Sequence, residues 1–260
     1  MEFRNKKSLG QNFLVDKNIL KKIVDTVKIS KEDKILEVGP GTGNLTRYLI
    51  DSKSKDITVI EKDNKLTKIL DEKFNTKIKI INNDILKIKE DFYEDNYIIF
   101  GNLPYNISTK IIANWCLMKS VKFKKLVLMF QKEVADRIIA KVNTQDYSRI
   151  TILTNWKFSI KKITDINPDC FFPKPKIKST LLEFTPKKNL ISINNPKNVE
   201  HISRIFFNHR RKMIKKNFIR LFKNFDVISK KIDIKLTDRP QHIPIDKFLM
   251  IIKEYEKNLN

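Results

Sequence analysis

The sequence predicts an α/β protein, a mostly parallel, doubly wound sheet followed by a small C-terminal all-α domain. Three observations predict it. From Lys34 onward, short β-rich runs alternate with stretches of helical spacing, as in a parallel sheet covered on both faces. Glu37, Glu61, Asp84 and Asn102 fall at or near the ends of those runs, where such sheets bind ligands. From about Asn198 the chain reads as helix.

Taken in order, strands are expected at 35–38, 57–60, 78–81, 97–100 and 126–130, each a short Ile/Val/Leu/Phe-rich run. Helices are expected at 44–52, at 64–74 through Leu66, Ile69, Leu70 and Phe74, and at 111–117. After Ile150 the pattern changes. Pro168, Pro173, Pro175 and Pro186 punctuate a region with strand character at 180–184. Residues 186–196, rich in Asn and Lys, read as a linker. Two domains follow, 1–186 and 197–260. In the second, the apolar positions Ile202, Ile205, Phe206, Met213, Phe218, Leu221, Phe222 and Phe225 slip in phase near His209, which predicts a turn or kink there.

The 260 residues carry 53 Lys+Arg against 30 Asp+Glu, a formal net charge of +23, and 41% are hydrophobic. That hydrophobic content argues against global disorder. Charge alone gives solubility and non-specific attraction to polyanions. A nucleic-acid reading needs the charge to cluster beside chemistry. It does cluster: residues 200–231 hold ten Lys or Arg and two acids, a local +8, and the N-terminal arm holds Arg4, Lys6 and Lys7. Two cysteines, Cys116 and Cys170, make no disulfide framework, and the chain reads as cytoplasmic. No apolar run approaches the roughly 18 residues a membrane span needs. The basic N-terminus runs into Ser8-Leu9-Gly10-Gln11-Asn12, so no signal peptide is expected. Three His and two Cys stand at no ligand spacing, so no metal is expected. A monomer is the default.

Gly39-Pro40-Gly41-Thr42-Gly43 follows a strand and opens a helix. Such a turn lets the backbone approach a ligand closely and presents free N–H groups. Asn44 stands where the full dinucleotide pattern wants a third glycine, and no Gly-Lys-Ser/Thr follows for a P-loop. Glu61, closing the second strand, suits a ribose diol. Turn and acid together point to a nucleoside cofactor.

Asn102-Leu103-Pro104-Tyr105 is the most informative segment. The exocyclic amine of adenine or cytosine is a poor nucleophile because its lone pair is delocalised into the ring. Alkylating it requires two acceptors on its N–H bonds, to stabilise the charge that develops. Asn102 and Leu103 offer a side-chain amide and a neighbouring carbonyl, Pro104 stiffens the backbone between them, and Tyr105 can stack on the base.

Several segments, in one order, resemble the ribosomal RNA adenine N6,N6-dimethyltransferases of the KsgA type. They are Lys7 to Leu14, Glu37 to Thr46, Asn102 to Thr109, Gln131 to Val134, Phe171 to Ser179 and Phe207 to Lys212. The resemblance implies a Rossmann-like class I methyltransferase sheet that uses S-adenosylmethionine and releases S-adenosylhomocysteine. It implies that Gln11, Asn12 and Leu14 close over the methionine end of the cofactor and that Gly39 and Gly41 approach it by backbone. Glu61 would hold the ribose, Asp84 would accept from the cofactor's adenine amine, and Ile85 would wall that adenine. Asn102, Leu103, Pro104 and Tyr105 would hold the target adenine, Asn102 also counting among the cofactor-binding residues, and Phe171 would pack its other face. The helical domain would contact the small ribosomal subunit and its 16S rRNA, with Arg210, Arg211 and Lys212 matching a basic motif. Two departures stand on the RNA-facing side: Tyr147-Ser148 where the family tends to have Tyr-Gly, and Arg239-Pro240-Gln241 where it tends to have Arg-Ala-Glu.

The nearest alternative is the antibiotic-resistance type of methyltransferase, which acts on an adenine of large-subunit rRNA. Pro40, Leu103 and residues 207–212 favour the small-subunit enzyme. Another is a non-catalytic ribosome assembly factor, against which Glu61, Asp84 and Asn102 argue. A nicotinamide dehydrogenase is disfavoured by Asn44 and by the lack of a hydride-site constellation.

Overall fold

The structure, a computed structural model, describes residues 12–93, 96–120 and 123–259. The strands are β1 (Phe13–Leu14), β2 (Lys34–Val38), β3 (Asp56–Glu61), β4 (Lys79–Asn82), β5 (Tyr97–Asn102), β6 (Phe123–Gln131), β7 (Phe158–Ile166), β8 (Phe171–Phe172) and β9 (Ser179–Pro186). The helices are α1 (Lys17–Asp25), α2 (Asn44–Ile50), α3 (Asn64–Phe74), α4 (Ser108–Cys116), α5 (Lys132–Ile138), α6 (Arg149–Lys157), α7 (Pro196–Phe207), α8 (Lys215–Leu221), α9 (Phe225–Ile232) and α10 (Ile245–Lys257).

Among the described residues one sheet has seven strands in the order β4-β3-β2-β5-β6-β9-β7. Strands β4 to β6 run parallel, and β9 returns antiparallel to β6. The interior strands β2, β3, β5 and β6 are buried along most of their length, which is why they read as continuous apolar runs rather than alternating ones. The chain builds outward from β2 to β3 and β4, then crosses back to lay β5 on the other side of β2. The crevice at the carboxyl ends of β2 and β5 is therefore the topological switch point, where ligands bind. A separate two-stranded ribbon pairs β1 with β8, Phe13 opposite Phe172 and Leu14 opposite Phe171.

The packing divides the chain into two units. Among the described residues, a sheet unit contains those within 1–112, 122–135 and 159–186, and a helical unit those within 113–121, 136–158 and 187–260. The helical unit gathers two segments from earlier in the chain as well as its C-terminal part. Their largest element, α6, explains this. It buries Thr151, Ile152, Leu153, Thr154, Trp156 and Lys157, and it packs against α7 and α10. In the same unit Phe206, Phe207, Phe218 and Phe248 form an aromatic core with ring centroids 5.2–5.9 Å apart. The buried Glu256 carboxylate accepts from the amides of Asn194 and Asn195 and from the Asn198 side chain, each at 2.8 Å. Helix α7 ends at Phe207 and the chain turns, with the Lys212 amide donating to the His209 carbonyl at 2.8 Å, so the expected break near His209 is present. Ser148, one of the two departures, starts α6 by reciprocal capping with Thr151. No helix of the described residues is long and apolar enough to cross a membrane.

Candidate active site

At the crevice, a cavity of about 220 Å³ opens against the carboxyl ends of β2 to β5 and the loops that follow them. Two glycines make its turn possible. Gly41 has φ +60°, and a Cβ there would lie 2.6 Å from the Phe13 ring. Gly43 has φ +83°, and a Cβ there would lie 2.4 Å from the Phe74 ring. An L side chain at either would be strained twice, by the left-handed backbone and by the neighbouring ring.

Glu61 ends β3 and is buried on the cavity wall. Its Oε2 accepts from the Gly41 amide at 3.2 Å and its Oε1 from the Asp63 amide at 2.9 Å. Burial pushes its carboxyl up, while those amides and the Asp63 charge pull in opposite directions. Asp84 follows β4 and caps a one-turn helix, its Oδ1 accepting from the Leu86 amide at 2.9 Å. Its Oδ2 pairs with Lys62 at 2.9 Å, and that hydrogen bond holds the carboxyl below its ordinary range. Ile85 lies beside it on the same wall.

Asn102 ends β5 on the facing wall. Its Nδ2 donates to the Asn12 carbonyl at 2.8 Å. That bond fixes which end of the amide is which. Nδ2 is committed, and Oδ1, which accepts no hydrogen bond from the described residues, is the end available to a ligand. Leu103, Pro104 and Tyr105 continue the wall. The Tyr105 hydroxyl lies 2.7 Å from the Ser179 hydroxyl at the start of β9, so the ring is anchored at its far end, and burial pushes the phenol up.

The cavity thus brings together Asn12, Gly39, Gly41, Glu61, Asp84, Ile85 and Asn102 to Tyr105 from the expected set. Leu14 and Phe171 are elsewhere. They face each other across the ribbon, are buried, and belong to the core rather than the cavity lining. Glu37, expected among the strand-end acids, does not line the cavity either. It is 2% exposed beneath the glycine turn and accepts from the Thr46 hydroxyl at 2.7 Å. Burial pushes its carboxyl up to about 8. Gln11, Arg4, Lys6 and Lys7 lie outside the described residues. In the helical unit Arg211 and Lys212 are exposed, whereas Arg210 is half-buried and donates to the Gln145 carbonyl. Sequence reasoning missed Phe13, Lys62 and the positioning role of the Asn12 carbonyl. A ribbon partner, an ion pair 22 residues away and a backbone acceptor 90 residues away leave no local pattern.

The family model described as ribosomal RNA adenine dimethylase matches residues 2–257. The chain belongs to that family. Its activity is the family's, dimethylation of adenine in ribosomal RNA. Among curated family members, the ribosomal RNA small subunit methyltransferase A of Pelagibacter ubique is 51% identical over 98% of each chain. That of Malacoplasma penetrans is 39% identical over 98% of this chain and 93% of its own. A dimethyladenosine transferase from Plasmodium falciparum has the same fold, with a TM-score of 0.79 at 27% identity over 94% of this chain and 97% of that one. The sheet is that of the class I methyltransferases.

Proposed function

We propose that this family member uses S-adenosylmethionine to dimethylate the N6 amines of two adjacent adenosines near the 3′ end of 16S rRNA, as a monomer in the cytoplasm, contributing to small-subunit maturation. The observation that carries the catalytic part is the Asn102 amide, with its nitrogen held by the Asn12 carbonyl and its oxygen available.

The residues fit the cofactor chemically. Gly41 keeps the turn free of side-chain bulk, the buried Glu61 carboxylate suits a ribose diol, and Asp84 beside Ile85 suits an adenine amine against an apolar wall. When bound, the cofactor would supply an electrophilic methyl on a sulfonium, its C–S bond breaking as the N–C bond forms, after which the amine's surplus proton leaves to solvent. Asn102 Oδ1 and the Leu103 carbonyl accept from the two N–H bonds and stabilise the positive charge growing on nitrogen. Tyr105, anchored by Ser179, gives the base a stacking surface. After the first transfer one N–H remains, so the pocket then holds the amine with one acceptor bond fewer. Gln11 near the methionine end, and Arg4, Lys6, Lys7, Arg210, Arg211 and Lys212 on rRNA, complete the reading, with Leu14 and Phe171 left in the core beneath the ribbon.

Incubation with unmethylated small subunits and labelled cofactor, followed by mass spectrometry of the RNA nucleosides, tests it. Dimethyladenosine in small-subunit RNA is expected. Product confined to large-subunit RNA would hand the substrate to the antibiotic-resistance type, and no product would leave the assembly-factor reading.

A further inference from the structure

Phe172 is 68% exposed, while the other phenylalanines of the described residues are buried or half-buried. Its place in the ribbon gives that exposure a direction. Residues paired across an antiparallel ladder project from the same face. Leu14 and Phe171 form the pair that faces the core. Phe13 and Phe172 form the pair on the opposite face, and Phe13 lines the cavity that holds Asn102. Phe172 therefore presents an uncovered ring on the cavity-side face of the ribbon.

The chain that follows returns to the same cavity. Residues 172–179 form a strap that carries Lys174, Lys176 and Lys178, all exposed. It ends at Ser179, whose hydroxyl anchors Tyr105 at 2.7 Å. Lys174 pairs with Asp169, and Lys176 and Lys178 meet no carboxylate among the described residues. An exposed aromatic followed by unneutralised cations, on a strap that starts opposite Phe13 and ends against Tyr105, two residues that line the cavity, matches single-stranded nucleic acid: rings for bases, ammonium groups for phosphates.

We propose that Phe172 stacks on the nucleobase next to the adenine in the pocket, with Lys176 and Lys178 on the adjoining phosphates. This rests on the RNA-adenine reading above and deepens it. The flanking base is held unstacked from the target, and Phe172 acts as a positioning residue rather than a catalytic one. For a substrate with two neighbouring target adenines, the stacked base is the second target waiting its turn.

The test uses the full chain, Phe172→Ala and Phe172→Trp. The probe is a single-stranded oligoribonucleotide with 2-aminopurine placed, in separate versions, on each side of a central adenine. Binding by the wild-type chain should quench one version through stacking. Phe172→Ala should lose most of that quench and Phe172→Trp should keep it. On unmethylated small subunits, Phe172→Ala should raise KM about tenfold with kcat within about twofold, by the usual worth of a base–aromatic stack, and Phe172→Trp should restore KM. Cofactor affinity by calorimetry should be the same in all three. Equal quench in wild type and Phe172→Ala, no quench in wild type, or an unchanged KM would each overturn the proposal. The wild-type nucleoside product, measured in parallel, reports separately on the underlying reading.

Discussion

At the end of the cavity assigned to cofactor, Glu61 and Asp84 already have their oxygens held by the chain's own donors, two amides for one, an amide and an ammonium for the other. At the end assigned to the base, Asn102 spends its nitrogen on one carbonyl and leaves its oxygen open. The first end is preorganised for the nucleoside part of the proposed cofactor, which the reaction leaves unchanged. The second keeps its acceptor for a group that gains charge during reaction, where preorganised dipoles have most effect. Breaking the open end should therefore cost rate, and breaking the satisfied end should cost affinity or stability.

The largest effect belongs to the open end. Asn102→Ala should lower the single-turnover rate by about a hundredfold or more, the usual cost of one preorganised transition-state partner. Cofactor affinity should stay within a few fold, because Glu61 and Asp84 are untouched. A variant that keeps its rate would remove Asn102 from the chemistry, and a variant that loses affinity instead would erase the contrast between the two ends.

Beneath the satisfied end, Glu37 gives the next effect. Its carboxyl is pushed from an ordinary 4.5 to about 8 by burial. Between those values the folded chain keeps a proton that the unfolded chain releases, so stability falls as pH rises, by about 1.4 kcal/mol per pH unit. Glu37→Gln should flatten that stretch of the denaturation profile between pH 5 and 7 and gain on wild type as pH rises. An identical slope in both proteins would mean that Glu37 ionises as readily folded as unfolded.

How far each end was legible follows from the range of its interactions. The sheet could be read because its interior strands are short apolar runs between turns, and the observed β2 to β6 and β9 overlap the expected strands. The glycine turn, Glu61, Asp84 and residues 102–105 were legible because each is a local pattern at a strand end. Helix α6 was not, because it is buried around much of its circumference and includes Thr151, Thr154 and Lys157 on that surface, so no single apolar stripe marks it. Strand β7 alternates irregularly between exposed and covered residues. The burial of Phe171 depends on the ribbon that pairs it with Leu14, a contact across more than 150 residues of sequence.

A smaller change at the satisfied end is Asp84→Ala. It should weaken S-adenosylmethionine binding about tenfold, the worth of roughly one good hydrogen bond to a charged group, and release Lys62 from its ion pair. Calorimetry reads it directly, and an unchanged Kd would take Asp84 out of the cofactor site. The rate at saturating cofactor should hold, which separates this variant from Asn102→Ala.

The smallest effect lies in the helical unit, where the same distinction between open and satisfied groups applies to cations. Arg211 and Lys212 are exposed, but Arg210 is half-buried and donates to the Gln145 carbonyl. Replacing Arg211 and Lys212 together by Gln should leave the thermal midpoint unchanged and weaken subunit binding only severalfold. The slope of log affinity against log salt should become shallower by about 0.7–0.9 for each lost phosphate contact. Arg210→Gln should act differently, lowering the midpoint as well, since it also breaks a bond that ties the 145 loop to the turn after α7. If all three positions change only the salt slope, Arg210 is an RNA contact like its neighbours. If Arg211 and Lys212 leave the slope untouched, that surface does not meet RNA, and the local +8 of residues 200–231 is a solvated face.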